Sequence, residues 1–274
     1  MVSEAKFINK EARQFLKETS RTFYIPITYL SKGLQEAVAS AYLCMRAIDE
    51  IDDHPELPAK DKSHLLLSIH QILQKPFNED TLIDLLQPYR STLPKVTLKL
   101  SDWIKVCPSG IDEKILAATA TMAKGMAKWV QKDWVINSEE DLDDYTYYVA
   151  GLVGVMLSDI WKWHDGTETD EHLAIGFGRG LQAVNILRNY KEDETRGVSF
   201  FPDGWELEDM FAYARRNLEL ADLYIKDLQT KDIITFCKIP LVLAHGTLKA
   251  LMEGKEKMNR IDVMKAVGQV VKMR

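Results

Sequence analysis

Residues 33–53, with the sequence GLQEAVASAYLCMRAIDEIDD, decide the fold class of this chain. Apolar side chains recur here every three or four residues, as at Leu34, Val38 and Tyr42, and this is the period of an amphipathic helix. The same spacing returns along most of the chain, and proline or glycine marks the intervals. No stretch alternates apolar and polar residues as a half-buried strand does. We therefore predict an all-α protein built as a single bundle of about ten helices.

The composition agrees with long helices. Glycine and proline number only 14 and 9, while 28% of the residues are charged, which disfavours many short strands joined by turns. No internal repeat or Gly/Ser linker is visible, so we expect one domain over residues 1–274. The predicted helices cover residues 4–18, 33–53, 60–74, 79–92, 94–105, 111–135, 139–163, 170–193, 205–228, 233–254 and 260–271.

Charge and cysteine content limit the partners and the compartment. A net charge of −6 lacks the basic surface that nucleic-acid binding needs, so we expect no nucleic-acid partner. Three widely spaced cysteines without a CxxC pair argue against a disulfide framework or a zinc site and favour the cytoplasm. The charged N-terminus predicts no leader peptide, and the apolar stretch 149–161 is too short to cross a bilayer. We expect a cytoplasmic monomer or homodimer that contacts membranes only peripherally.

Residues 46–53, RAIDEIDD, end the first of these helices with a cluster of charge. At about 100° per residue, the side chains that share one side of the helix are Arg46, Asp49, Glu50 and Asp53. Carboxylates four residues apart destabilise a helix by about 0.2–0.5 kcal/mol when no cation joins them. Magnesium accepts one or two carboxylates together with waters and phosphate oxygens. The cluster predicts a magnesium site, with a solvated acidic helix end as the alternative.

Residues 181–193, LQAVNILRNYKED, predict a second polar helix face. The polar side chains that fall within about one quadrant of this helix are Gln182, Asn185, Asn189 and Asp193. Polar groups in line on a helix with an apolar flank suit the lining of a cavity, and a wet surface is the alternative. Two such polar helix faces in one chain favour a functional site over two unrelated solvated surfaces.

Residues 145–156, YTYYVAGLVGVM, place Gly151 and Gly154 three positions apart inside an apolar helix. Glycine costs about 1 kcal/mol relative to alanine in a helix interior. Its presence therefore indicates a bend or a close approach. Close packing against another helix is the simpler interpretation, and a lipid-shaped pocket is the sharper one.

Four segments resemble, in the right order, the signature regions of the squalene/phytoene synthase family. Residues 20–30, SRTFYIPITYL, resemble the S-x-[ST]-F opening, and residues 49–53, DEIDD, resemble the first aspartate-rich motif. Residues 145–154, YTYYVAGLVG, resemble the segment Y-C-x-x-V-A-G-x-V-G. Residues 181–193, LQAVNILRNYKED, together with RG at 196–197 and Pro202, resemble L-Q-x-x-N-I-L-R-D-x-x-E-D…R-G…P. The likeness covers about residues 14–205 and weakens beyond them.

The resemblance implies an isoprenoid-synthase fold with a central cavity, a prenyl diphosphate substrate, and two or three Mg²⁺ ions. The implied catalytic residues are Asp49, Asp53, Asn189 and Asp193, and the implied metal ligands are these four together with Glu50, placed on two facing walls. The residues implied to hold the diphosphate are Ser20, Arg46, Arg188 and Arg196. Those implied to line the prenyl pocket are Thr22, Phe23, Tyr145, Val149, Gly154, Gln182 and Asn185.

The chain departs from the family pattern by losing polar or charged groups. Asn189 stands where the second motif normally begins with aspartate, and further replacements are Trp129, Val198, Phe200 and Leu248. Head-to-head condensation requires two substrates to be held a few ångströms apart. Losing polar partners therefore favours capture of the first carbocation by water, and hydrolysis at phosphorus is another route to the same alcohol. The chain looks closest to a bacterial branch of the family with farnesyl diphosphate phosphatase activity, so we predict magnesium-dependent hydrolysis of farnesyl diphosphate to farnesol without a nicotinamide cofactor.

Two alternatives accompany this prediction. The first is an intact head-to-head prenyltransferase that makes presqualene diphosphate, dehydrosqualene or phytoene. The second is a catalytically silent member that binds lipids or assists assembly. The intact first carboxylate cluster favours an enzyme over the silent protein.

Overall fold

The computed structural model describes residues 8–20, 22–195 and 197–272, and no strand occurs among them. The all-α prediction is confirmed. The helices are α1 (Lys10–Thr19), α2 (Tyr24–Ile27), α3 (Lys32–Asp52), α4 (Ala59–Leu73), α5 (Glu79–Leu86), α6 (Lys95–Leu98), α7 (Leu100–Lys105), α8 (Asp112–Gln131), α9 (Glu139–Thr146), α10 (Leu152–Asp165), α11 (Glu171–Thr195), α12 (Leu207–Asp227), α13 (Lys231–Met252) and α14 (Arg260–Lys272). A 3₁₀ turn (Gln87–Tyr89) follows α5, and a π-helical turn (Tyr147–Gly151) joins α9 to α10.

The helices group into two compact units, residues 1–133 and residues 134–274. At the boundary the backbone adopts the left-handed conformation twice in succession, with φ of 51° at Asp133 and 53° at Trp134. This conformation is uncommon for residues other than glycine. The predicted helix 111–135 therefore ends at Gln131 rather than at residue 135. The single-domain organisation over residues 1–274 stays a prediction.

Helix α3 is the centre of the first unit, because α6, α7 and α8 all pack against it, and α4 packs along α8. Its core-facing side chains, such as Leu43 and Ile48, are fully buried. Two side-chain hydrogen bonds also fix it: the Ser40 hydroxyl donates to the Trp103 carbonyl at 2.8 Å, and the Thr97 hydroxyl donates to the Ala47 carbonyl at 3.0 Å. The acidic end of α3 is thereby held by a rigid support.

Helix α11 is the centre of the second unit, and α10, α12 and α13 pack against it. Glycine permits the close approach of α10, since a Cβ atom on Gly154 would lie 1.9 Å from the Ala174 carbonyl oxygen. In the same way, a Cβ atom on Gly178 would lie 2.1 Å from the Ala150 carbonyl oxygen. Helix packing thus explains the predicted close approach at Gly154.

Helix α13 is long and apolar enough to cross a membrane by length and composition alone. However, 56% of its most apolar 18-residue window is buried inside the structure. Ile233, Phe236 and Leu241 belong to the core, and Pro240 lies within the helix without ending it. The apolar character of α13 therefore serves the interior of the second unit.

Several predicted helix bounds are wrong, each for a local reason. Residues 8 and 9 of the helix predicted at 4–18 are not helical, because Asn9 caps α1 by accepting from the Ala12 amide at 2.7 Å; residues 4–7 of that prediction lie outside the described residues. The helix predicted at 79–92 ends at Leu86, before the 3₁₀ turn that contains Pro88. The helix predicted at 94–105 breaks at Lys99, whose ψ of 18° is not helical.

Candidate active site

The two polar motifs fall in different units, and each has its own supporting contacts. In the first unit, Arg46 bridges two acidic residues of its own helix. Its Nη1 donates to the Asp49 carboxylate and its Nη2 donates to the Glu50 carboxylate. The Arg46 Nε is buried without a hydrogen-bond partner among the described residues. This arginine, predicted to hold diphosphate, pairs with two predicted metal ligands, and its Nε–H stays available to a further acceptor.

Asp49 sits in an environment that disfavours its negative charge. Burial, followed by the charge of Asp53, raises the pKa of Asp49 to about 7, although Arg46 opposes the shift. The pKa of Arg46 is also raised: burial lowers it, but the charges of Asp49 and Glu50 outweigh burial, so the guanidinium stays charged. A divalent cation placed against Asp49 and Asp53 would offset their mutual repulsion. The donor set therefore fits a cation better than it fits an unligated state.

Asp49 and Asp53 could supply part of the coordination sphere of a Mg²⁺ ion. Within residues 8–20, 22–195 and 197–272, no three His, Cys, Asp or Glu side chains converge as a ready metal site. Mg²⁺ commonly takes only one or two carboxylates and completes an octahedron with waters and substrate phosphate oxygens. Asp49 and Asp53 on their helix match that requirement.

Ser20 and Tyr42 adjoin the acidic cluster and form a hydroxyl pair. Ser20 is 2% exposed, and its Oγ accepts from the Phe23 amide at 3.1 Å. The Tyr42 hydroxyl donates to the Thr19 carbonyl at 2.8 Å, and its ring lies 6.3 Å from that of Phe23. Burial raises the Tyr42 pKa, so the hydroxyl stays protonated. Thr22, in contrast, is exposed.

Tyr42 is a further candidate that the motifs do not mark, because in the sequence it occupies one of the apolar positions of α3. The signal was present in the sequence. Tyr42 precedes Arg46 by four residues, which places both side chains on one helix face. A tyrosine at that spacing needs a partner for its hydroxyl, and the end of α1 provides it.

Tyr145 and Phe200 form a stacked aromatic pair in the second unit. Tyr145 is 8% exposed and stacks on Phe200, with ring centroids 4.9 Å apart. Val149 lies in the π-helical turn that follows and is half-buried. Such turns occur often at functional sites, since they rotate side chains out of helical register.

Helix α11 presents the second polar motif with burial that changes along the helix. Asn185 is exposed, Gln182 and Asn189 are half-buried, and Asp193 is 7% exposed. The Arg188 Nε donates to the Asn189 Oδ1 at 3.2 Å, and the Asn185 amide lies 3.5 Å from the Gln182 Oε1. Again an arginine predicted to hold diphosphate engages a predicted metal ligand of its own helix.

The backbone after α11 turns back onto the motif. The Val198 amide donates to the Asp193 carbonyl at 3.0 Å, and Phe200 follows against Tyr145. The predicted diphosphate ligand Arg196 lies outside the described residues. Two other departures from the family pattern are core residues: Trp129 is 1% exposed and Leu248 is 5% exposed.

Comparison with known proteins identifies the class. The family model described as squalene/phytoene synthase matches residues 16–208. Over 276 residues, squalene synthase of Mus musculus is 28% identical, covering 90% of this chain and 64% of that protein. The Dictyostelium discoideum squalene synthase is 31% identical over 280 residues, covering 88% of this chain and 64% of that protein. The chain thus spans less than two thirds of the length of these curated relatives.

Solved structures agree on the fold. The structure of TcSQS in complex with the ligand BPH1237 superposes with a TM-score of 0.77 at 23% identity, covering 96% of this chain and 86% of that one. The structure of a dehydrosqualene synthase in complex with ligand superposes with a TM-score of 0.65 at 20% identity, covering 96% of this chain and 95% of that one. The all-helical architecture is that of an isoprenoid synthase. The chain belongs to the squalene/phytoene synthase family.

Proposed function

We propose that this enzyme ionises prenyl diphosphates with the help of Mg²⁺ and joins two of them head to head. The observation that carries the proposal is the Asp49–Asp53 pair, in which burial and then the charge of Asp53 raise the pKa of Asp49 to about 7, next to an arginine with an unused buried donor. Membership of the family supports the prenyl-transfer outcome.

The proposed metal ligands are Asp49, Glu50 and Asp53 of the first unit and Asn189 and Asp193 of the second. When bound, Mg²⁺ would neutralise the negative charge that develops on the departing pyrophosphate. We propose that both sets of ligands serve the same substrate. The pairs share a chemical pattern, since each holds oxygen ligands one helical turn apart.

The arginines are proposed to change partners when substrate binds. In the structure, Arg46 pairs with Asp49 and Glu50, and Arg188 bonds to Asn189. If cations take over those oxygens, the guanidinium groups become available to the diphosphate, which they bind in bidentate fashion. The buried Nε of Arg46 gains an acceptor in this exchange. The Ser20 hydroxyl proton adds a further donor, while the neighbouring Tyr42 hydroxyl is held by the Thr19 carbonyl.

The aromatic side chains are proposed to handle the carbocation and exclude water. Departure of pyrophosphate breaks the C1–O bond, and both electrons leave with oxygen. The aromatic faces of Phe23 and Tyr145 attract the allylic cation. In head-to-head transfer, the double bond of a second prenyl diphosphate attacks this cation, and one proton is then lost. The remaining proposed pocket residues, which stay predictions, are Thr22, Val149, Gly154, Gln182 and Asn185.

Hydrolysis to a prenyl alcohol is the second candidate, and a specific observation favours it. Asn189 supplies a neutral amide oxygen that Arg188 already engages, and Val198 and Phe200 supply no charge nearby. Weaker recruitment of a cation there would leave the first ionisation possible and the coupling step impaired. Water would then attack C1 of the cation and lose a proton, giving farnesol from farnesyl diphosphate.

One incubation separates the candidates. Purified protein receives farnesyl diphosphate and Mg²⁺, with and without reduced nicotinamide cofactor, and the products are resolved by mass spectrometry. A C30 product supports head-to-head transfer, and farnesol with pyrophosphate or phosphate supports hydrolysis. Turnover of neither kind, with correctly folded protein, would reject both and favour the silent member. The matched control is Asp49→Asn with Asp53→Asn, which removes charge without changing shape.

A further inference from the structure

Three strongly exposed apolar side chains lie in the last part of the second unit, where α13 ends and α14 follows. Met252 is 52% exposed, Ile261 is 65% exposed and Met264 is 74% exposed, and these are the largest values among the large apolar side chains described. Ile261 and Met264 are three residues apart and share one face of α14. Met252 ends α13, just before the chain turns into α14. We name these three side chains the α14 patch.

Helix α14 has an attached side and a free side. Its attached side packs against α13 and includes Val270, which is 7% exposed. On the free side, a Cβ atom built on Gly268, one turn beyond Met264, would meet nothing within 4 Å. The patch therefore faces outward on a helix that the fold already holds in place.

Basic residues flank the α14 patch along the chain. Residues 249–272 contain six Lys or Arg and three Asp or Glu, whereas the whole chain has a net charge of −6. All six basic side chains are exposed, namely Lys249, Lys255, Lys257, Arg260, Lys265 and Lys272. Two of the acidic groups are engaged locally, because Glu253 pairs with Lys255 at 2.5 Å and Asp262 accepts from the Asn259 amide at 2.6 Å.

From this combination we infer that the α14 patch docks on an anionic lipid bilayer. An amphipathic helix with apolar residues on one side and Lys or Arg flanking them lies in the membrane interface, where its apolar face enters the headgroup boundary. Each basic residue near an anionic surface adds further attraction. The acidic remainder of the chain is repelled by the same surface, so contact is confined to this end of the molecule.

The lysine content favours lipid over a protein partner. Lysine is depleted in protein–protein interfaces. Here Lys257 and Lys265 lie within four residues of Ile261 on either side of it. Long lysine side chains can extend from an apolar contact toward phosphate headgroups. This inference does not rest on the proposed reaction, since it needs no substrate.

The test is co-sedimentation of the purified full chain with two kinds of vesicle, phosphatidylcholine alone and equal parts phosphatidylcholine and phosphatidylglycerol. We expect binding to the anionic vesicles, little binding to the neutral ones, and weakening as salt rises. Ile261→Gln with Met264→Gln should lower the bound-to-free ratio at least about tenfold. Lys257→Glu with Lys265→Glu should abolish the preference for anionic vesicles.

The matched control is Ile83→Gln on α5, another exposed isoleucine, at 45%. It should bind vesicles as the wild type does, and circular dichroism should report the same helicity for every variant. Equal partitioning of wild type and the Ile261/Met264 variant would overturn the inference. So would self-association in sedimentation velocity that this variant abolishes, with no vesicle binding, because the patch would then be an interface between copies of the chain.

Discussion

The ring of Tyr145 stacks on the ring of Phe200, with centroids 4.9 Å apart and planes inclined by 19°. This contact ties the end of α9 to the loop that follows the polar motif of α11. The loop is also held by the hydrogen bond from the Val198 amide to the Asp193 carbonyl. The position of a proposed pocket aromatic therefore depends on the segment that carries a proposed metal ligand.

Phe200→Ala should weaken substrate binding by removing the surface on which Tyr145 rests. Aromatic pairs contribute about 0.5–1.5 kcal/mol beyond their burial, so we expect KM for the prenyl diphosphate to rise severalfold, up to about tenfold. Steady-state kinetics of pyrophosphate release measure this effect. Phe200→Tyr preserves the stacked ring and should stay within about twofold of wild type. An unchanged KM in the alanine variant would show that the stack does not position the pocket.

The stability of the protein should fall as the pH rises from about 4 to about 7, because Asp49 is more basic in the folded state than in the unfolded chain. Over this window the folded state holds a proton that the unfolded state has lost, so the proton stabilises folding at low pH and its loss removes that contribution. Well above pH 7 the carboxyl group of Asp49 is deprotonated in both states, and the stabilisation that its proton provides is fully lost. Asp49→Asn should flatten this part of the Tm profile.

The effect of Mg²⁺ on the Tm provides a second test of the raised pKa of Asp49. At pH 8 the ion should raise the Tm of the wild type, since it binds the deprotonated pair and stabilises the folded state by mass action. At pH 5 it should have little effect, and on Asp49→Asn with Asp53→Asn it should have none. Parallel Tm profiles for wild type and Asp49→Asn between pH 4 and 7 would contradict the assignment.

Gly154→Ala should be strongly destabilising, by about 1–3 kcal/mol or more, because the new methyl group would meet the Ala174 carbonyl at 1.9 Å. Thermal unfolding measures the loss. Gly268→Ala is the matched control, since its methyl group enters open space and the helix gains about 0.5–1 kcal/mol of propensity. Similar Tm values for the two variants would mean that α10 and α11 do not pack this closely.

Tyr42→Phe should cost about 1 kcal/mol of stability through loss of the hydrogen bond to the Thr19 carbonyl at 2.8 Å. We also expect KM for the diphosphate to rise severalfold, because Tyr42 lies one turn before Arg46 on the same face of α3. Tyr24→Phe is the control in the same unit and should retain both properties. Wild-type kinetics for Tyr42→Phe would restrict this hydroxyl to a structural role.

The sequence predicted the helices of this fold well, because periodic apolar residues and breakers are local signals. The acidic end of α3 was predicted within one residue, and the family was confirmed by the match to residues 16–208. The misses follow from backbone geometry that no local pattern records. The left-handed pair Asp133 and Trp134 ends α8 early, and the π-helical turn after Thr146 interrupts an otherwise regular apolar run.

The candidate site was less predictable, since side-chain partners depend on tertiary packing. Spacing placed Arg46 beside Asp49 and Glu50, but it could not say that the guanidinium engages both carboxylates. Nor could it grade burial along the α11 motif, where Asn185 is exposed and Asp193 is 7% exposed. The roles assigned to these residues stay predictions.

The central claim is that the carboxylates of both motifs act on one substrate with Mg²⁺. Its most direct test is the rate of pyrophosphate release from farnesyl diphosphate by Asp49→Asn, by Asp193→Asn and by the double variant. Residues that act as a unit are non-additive, so each single variant should lose at least about a hundredfold and the double variant should lose little more. Wild-type rates in either single variant, or losses that multiply in the double variant, would contradict the account.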